Sequence, residues 1–125
     1  MINVLVYGTL RHGMGNNDYF LDRSKPLRTL RISGFVMKDL GAFPAIHEGD
    51  GEITVEYFRI DKATLAELDR LEGHPVFYRR IEVVVNELGI SAYIYVMSAD
   101  RIDGRKTISS GDWIEHTTQK ERHGR

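Results

Sequence analysis

Residues 2–15, Ile2-Asn3-Val4-Leu5-Val6-Tyr7-Gly8-Thr9-Leu10-Arg11-His12-Gly13-Met14-Gly15, run from an unbroken apolar stretch into a glycine-rich loop. Continuous apolar character from Ile2 to Tyr7, without alternation, is the pattern of a strand covered on both faces. Gly8, Gly13 and Gly15 then mark a loop whose backbone takes unusual angles or comes close to something else.

Working outward, Asn16 to Asp22 can start a short helix with Asn16 or Asn17 as its cap, ended by Pro26. Leu27 to Leu40 is long and β-branched enough for one or two strands, interrupted at Gly34. Gly41 to Ala45 (GAFPA) reads as an irregular corner, and Gly49-Asp50-Gly51 as a turn. Glu52 to Ile60 alternates like a half-buried strand. Asp61 to Gly73 (DKATLAELDRLEG) reads as one amphipathic helix with Asp61 as N-cap and Leu65, Leu68 and Leu71 on its buried stripe; His74-Pro75 stops it. Tyr78–Val85 and Ser91–Met97 read as two strands paired through a turn containing Gly89. In the second, Tyr93, Tyr95 and Met97 share one face, and Ala92, Ile94 and Val96 the other. Lys106 to Trp113 is a turn-rich approach to a short element. Thr117 to Arg125 has no apolar periodicity and is expected to be a flexible tail behind a domain of residues 1–116. With no internal repeat or linker, one α+β domain is the economical reading.

At 125 residues with 42% hydrophobic and 28% charged content, the chain is long enough for one domain with a real core. A net charge of −1 gives no electrostatic case for nucleic acid or an acidic membrane surface. Without cysteine there is no disulfide, thiolate nucleophile or thiolate metal site. The run from Met1 to Tyr7 meets Gly8 too soon for a secretory leader, and no stretch approaches a membrane span. A soluble cytoplasmic protein is the expectation.

Glu72 is the carboxylate that stands out. At about 100° per residue it lies roughly 20° from Leu65 and about 40° from Leu68, so it projects with the leucines. An apolar wall and the neighbouring helix C-terminal carbonyls both push its pKa toward neutrality, where one carboxyl can take and give a proton. The alternative is a last-turn glutamate swung out to solvent or paired with Arg79 or Arg80. Other signals fail. Gly13-Met14-Gly15 lacks the third glycine of a dinucleotide fingerprint, because Asp18 holds that position. His12, His47, His74, His116 and His123 show no ligand spacing, so no metal is expected. No serine sits in a G-x-S-x-G elbow.

Tyr7-Gly8-Thr9-Leu10-Arg11, leaving a buried strand and followed by Gly13, resembles the YGTLR signature of the γ-glutamylcyclotransferase-like superfamily, which includes AIG2-like proteins and γ-glutamylamine cyclotransferases. Leu68 to Gly73 with Pro75, Tyr78 and Arg79 is similar to that group's LDxLEGxPxxYxR stretch. Gly41 to Ile46 resembles its G-x-[FY]-P-A corner, Ala92 to Val96 its late aromatic strand, and Ser110 to Trp113 its SGDW. The matches run in the family's order from about Val4 to Trp113. One departure is Val55, where members commonly carry glycine. The resemblance implies a small β-barrel-like mixed sheet with a few packed helices and a cavity at one end. It also implies that Tyr7, Gly8, Thr9 and Leu10 bind a γ-glutamyl moiety through backbone N–H groups, that Glu72 is the essential glutamate, and that Tyr78 and Tyr95 line the pocket.

The function so implied is a cofactor-free cyclotransferase acting on a γ-glutamyl amine or related small amide. The α-amine attacks the side-chain carbonyl, 5-oxoproline forms and the amine leaves, with Glu72 as base and then acid. Gly8–Leu10 N–H groups would hold the oxyanion or the substrate carboxylate. The alternatives are a non-catalytic ligand- or protein-binding module on the same fold, or removal of a γ-glutamyl protecting group in the same pocket. For single residues, Tyr78 and Tyr95 could equally be core residues, and Arg11 either meets a carboxylate or is solvated. Asp69 makes a structural hydrogen bond, Phe43 and Pro44 shape a cavity wall, and Trp113 anchors packing. The leaving amine would be selected at the mouth, by the 13–17 and 41–51 loops.

Overall fold

The N-terminal apolar run becomes β1 (Ile2–Val6), and both of its faces are covered: Val4 and Leu5 are fully buried and Val6 nearly so. The computed structural model describes residues 1–123, with side chains through Glu121. After β1 come α1 (Gly15–Phe20), β2 (Arg28–Asp39), β3 (Pro44–Ile60), α2 (Lys62–Glu72), β4 (Arg79–Val85), β5 (Ile90–Val96), α3 (Ala99–Ile102), β6 (Lys106–Thr107) and α4 (Trp113–His123). The strands form one mixed six-stranded sheet in the order β4-β5-β1-β3-β2-β6, curled into a half-barrel. Only β1 and β5 are parallel neighbours, so their C-terminal ends emerge side by side; every other pair is antiparallel.

Strand alternation divides the interior into two cores. Leu5, Ile53, Val55, Ile94, Val96 and Trp113 belong to one, and Val4, Val6, Phe58, Leu68, Tyr95 and Met97 to the other. The alternation expected for 92–97 is the one observed, and β4 and β5 pair through the turn at Gly89. Val55, the departure from the family pattern, is fully buried opposite Leu30, so it is a packing residue.

Several local expectations are corrected. Residues 49–51 do not form a turn: β3 runs through them, and the β2–β3 register jumps between Ser33–Glu52 and Phe35–Glu48. Surplus residues absorbed as a bulge bend a long hairpin without ending it. β2 is accordingly a single strand, and Pro44 opens β3 rather than lying in a loop. α1 begins one residue early, with Met14 at its cap and no side-chain capping bond; the amides of Asn16 and Asn17 are engaged with the preceding loop instead. Asp61 does cap α2, accepting from the Thr64 N–H at 2.8 Å. On that helix Leu68 is fully buried and Leu65 partly, whereas Leu71 is 37% exposed. α3 was not anticipated, since four residues carry no readable period.

The segment from Thr117 onward is also corrected: α4 continues through it to His123, while residues 124 and 125 of the expected tail lie outside the described residues. A polar anchor holds this helix where apolar periodicity is missing. Asp39, at the end of β2, accepts from His116 Nε2 at 2.8 Å and Lys120 Nζ at 3.0 Å, one helical turn apart, and from the Gly41 N–H at 2.7 Å. Burial pushes its carboxyl up, but these donors outweigh that and hold its pKa at about 2. A depressed carboxylate contributes stability above its unfolded pKa, and that contribution is lost as pH falls toward 2. Asp39→Ala should therefore lower stability by about 1.5–3 kcal/mol at pH 7 and speed amide hydrogen exchange along residues 114–121. The difference from wild type should shrink as the pH is taken from 4 toward 2.

Candidate active site

The parallel pairing of β1 with β5 brings Tyr7 and Tyr95 together, and the Tyr7 hydroxyl donates to the Tyr95 carbonyl at 2.8 Å. α2 ends beside them. Gly73 takes the left-handed conformation (φ 67°) that terminates the helix, donating to the Asp69 and Arg70 carbonyls, and this leaves Glu72 as the last helical residue. The chain then folds back: the Val76 and Phe77 N–H groups donate to the Gly73 carbonyl, and the Tyr78 N–H to the Glu72 carbonyl at 3.1 Å. Glu72 and Tyr78 are thereby clipped to each other.

These elements enclose a cavity of about 150 Å³. Tyr7, Gly8, Thr9, Leu10, Glu72, Tyr78 and Tyr95 all line it, together with Asn16, Phe43 and Pro44. Leu71 and Phe77 line it as well and are 37% and 42% exposed, so they form the lip where it opens to solvent. The lip was not anticipated from sequence, nor was Asn16 as an individual lining residue. The Asn16-Asn17 doublet following the loop was the available signal, since short amides there can satisfy loop backbone and side chains.

The loop after β1 is closely held. Arg11 turns back under it: its N–H donates to the Gly8 carbonyl at 3.0 Å. Its guanidinium, only 6% exposed, donates from Nε to Glu56 Oε2 and from Nη1 to Asp112 Oδ1, both at 2.8 Å. The other oxygen of Glu56 accepts from the His12 N–H at 2.7 Å. Of the two readings of Arg11, the structure shows the paired one. Asn16 donates to Thr9 Oγ1 at 2.8 Å, and fully buried Asn17 donates to the Leu10 carbonyl at 3.0 Å. The Thr9 and Leu10 N–H groups have no protein acceptor among the described residues. Gly8 sits against Pro44 so closely that a β-carbon there would lie 2.8 and 2.9 Å from the proline ring.

Glu72 faces this cavity rather than Arg79 or Arg80. Burial raises its pKa to about 7. The same burial raises the hydroxyls of Tyr7, Tyr78 and Tyr95, and the nearby Glu72 carboxyl adds to each shift. At neutral pH the site therefore holds three protonated phenols around a carboxyl divided between its two forms. Tyr78 donates to the Pro44 carbonyl at 2.6 Å. Tyr95 donates to Asp69 Oδ1 at 2.6 Å, and the other oxygen of Asp69 accepts from Arg80 at 2.8 Å. A cavity with one carboxyl poised near neutrality, lined also by Thr9 and Leu10 whose N–H groups have no protein acceptor among the described residues, has the groups to move a proton and to hold an anionic oxygen.

The chain matches the family described as "Gamma-glutamyl cyclotransferase, AIG2-like" over residues 4–115. It is 37% identical over 114 residues to the γ-glutamylcyclotransferase family protein YtfP of Escherichia coli K12, covering 91% of this chain and 97% of that one. It is 28% identical over 125 residues to the γ-L-glutamyl-butirosin B γ-glutamyl cyclotransferase of Niallia circulans, covering 95% and 80%. Among solved structures, an uncharacterized protein from Pyrococcus horikoshii superposes with a TM-score of 0.81 at 27% identity, with both chains fully covered.

Two consequences of this geometry are measurable. A carboxyl whose folded pKa is raised loses stability as pH climbs from its unfolded value, near 4.3, through about 7. Glu72→Gln should therefore melt higher than wild type at pH 8 and at the same temperature at pH 4. Gly8→Ala should cost about 1–3 kcal/mol in chemical denaturation, because the added methyl must displace a proline ring rather than a flexible chain end.

Proposed function

The chain belongs to the γ-glutamyl cyclotransferase, AIG2-like family, and from that membership we propose that its cavity converts a γ-glutamyl amine or related small amide into 5-oxoproline and a free amine. The observation that carries this reading is the inward Glu72 carboxyl, its pKa raised to about 7 by burial, in a cavity also lined by Thr9 and Leu10, whose N–H groups have no protein acceptor among the described residues.

In this reading Glu72 takes a proton from the substrate α-ammonium. The freed amine nitrogen attacks the side-chain carbonyl carbon and closes a five-membered ring. The carbonyl oxygen, now carrying the negative charge, is met by the loop N–H groups. As the oxyanion collapses, the bond to the leaving nitrogen breaks and Glu72 returns the proton to it; the second proton on the ring nitrogen passes to the released amine, which departs as its ammonium. One carboxyl serves as base and then acid, which is effective when its pKa lies near the working pH. The attack is intramolecular, so holding the glutamyl chain bent contributes much of the rate. Tyr7, Gly8, Pro44, Tyr78 and Tyr95 line the cavity in which it bends.

The cavity opens at the Leu71–Phe77 lip, so in this reading the acyl half is seated inside and the amine extends past the lip. The relative named for γ-L-glutamyl-butirosin B supports the same division, its name joining a γ-glutamyl half to butirosin B.

The test is 5-oxoproline release, followed by mass spectrometry, from γ-glutamyl amines, γ-glutamyl dipeptides and ε-(γ-glutamyl)lysine. Wild type should release it from at least one, with kcat/KM rising through an inflection near pH 7 as Glu72 loses its proton. Glu72→Gln should reduce turnover about 10²–10⁴-fold. Unchanged turnover in that variant would remove Glu72 from the chemistry.

A further inference from the structure

Each tyrosine hydroxyl in the cavity wall has already given its proton to a fixed protein acceptor. Tyr7 donates to the Tyr95 carbonyl, Tyr78 to the Pro44 carbonyl and Tyr95 to Asp69 Oδ1. A phenol has one proton to donate, so none of these hydroxyls has a proton left for the cavity. Glu72, ringed by them, has no side-chain donor among the described residues, and its raised pKa has burial as its cause with no offsetting hydrogen bond. In contrast, Asp39 is also buried, but its donors hold it at about 2.

Two of these acceptors are backbone carbonyls fixed by the sheet. The third is a side chain. Asp69 lies three residues before Glu72 on α2, on the same side of the helix. It is oriented from behind: Arg80 donates to its second oxygen, the Arg80 N–H donates to His74 Nδ1, and the guanidinium lies 4.5 Å over the Tyr93 ring. We propose that Asp69, aimed by Arg80, is a positioning residue that draws the Tyr95 proton away from Glu72, so that this end of the cavity, once Glu72 is ionised, offers no donor and selects a ligand amine or ammonium.

The polarity of the site follows. With Glu72 ionised, a group seated among Tyr7, Tyr78, Tyr95 and Glu72 must be a hydrogen-bond donor, and a carboxylate or carbonyl oxygen is rejected there. Oxygens are instead matched by the N–H groups of Thr9 and Leu10, which have no protein acceptor among the described residues. The titratable groups turned toward Glu72 are the three tyrosines, with Asp69, Arg80 and His74 one step behind Tyr95. The consequence for turnover rests on the proposed cyclisation, whereas the consequence for the proton affinity of Glu72 does not.

Asp69→Asn is the informative change because it preserves shape. Arg80 can only donate, so it claims the amide oxygen; the amide nitrogen then faces Tyr95 and turns its proton out toward Glu72. Carbon-13 NMR titration of the Glu72 carboxyl in the full chain reads the result without substrate. Asp69→Asn should lower the Glu72 pKa by about one pH unit or more, since a hydrogen bond to the charged form favours it. Tyr95→Phe should leave it near the wild-type value. In the Tyr95→Phe background, Asp69→Asn should produce less than half the shift, because only the lost charge remains to act. Asp69→Ala, which also deprives Tyr95 of its acceptor, should behave likewise. An equal shift in both backgrounds would reduce Asp69 to a distant charge and overturn the assignment, as would no shift at all. With an active substrate, the acid limb of kcat/KM should move down with the titration. A background-dependent shift without 5-oxoproline release would uphold the wiring and defeat the cyclisation reading. Release accompanied by equal shifts would do the reverse.

Discussion

The guanidinium of Arg11 sits between two carboxylates drawn from distant parts of the chain, Glu56 in the middle of β3 and Asp112 at the entrance to α4. A buried cation is tolerable only with its partners in place, and removing one member of such a set typically costs more than the set contributes. Burial pushes Asp112 up, but the Glu115 N–H and Arg11 outweigh that and keep its pKa below the ordinary range. The second oxygen of Glu56 is spent on the His12 N–H, so the same charge cluster sets the course of the loop backbone. The loop that faces the cavity is thus fastened to the sheet and to the C-terminal helix by one residue. Its N–H groups can point at a ligand because the rest of its polar groups are engaged elsewhere.

The parts of the fold legible in the sequence were those carried by long patterns. β1 announced itself by unbroken apolarity, α2 by its period and the Asp61 cap, and the β4–β5 pair by alternation on either side of Gly89. The illegible parts depend on partners far away. Nothing local indicates that residues 49–51 would be absorbed into a bulge opposite Gly34, because the alternative turn uses the same residues. α4 lacks an apolar stripe beyond its first turn and is held by Asp39, more than seventy residues earlier in the chain. Leu71 fits the buried stripe by angle, yet it lies where α2 runs out against the cavity mouth.

For the site, helical geometry singles out Glu72 and the family resemblance implies Tyr7–Leu10, Tyr78 and Tyr95 beside it, and the structure places all of these residues around one cavity. What could not be read was the direction of each hydrogen bond. Asp69 reads as a structural partner from its helical angle, and it does make two strong bonds. Its relation to Tyr95 emerges only when the hydroxyl protons are followed one by one. The lip is a similar case: Arg101, from the unanticipated α3, donates to the Val76 and Phe77 carbonyls and lies 5.4 Å over the Phe77 ring, steadying the apolar edge past which an amine would leave.

The hydrogen bond from the Tyr7 hydroxyl to the Tyr95 carbonyl joins residues 88 positions apart. Contacts of such separation form late, since the entropy of closing the intervening chain must be met before they stabilise anything. While the chain is being synthesised, α2 can exist before β5 does, and Glu72 then sits on an open helix end in water as an ordinary carboxylate. Only when β5 docks beside β1 does the wall close and the carboxyl lose its hydration. The raised proton affinity of Glu72 is therefore a property of the closed sheet, absent from a chain in which β5 has not yet docked beside β1.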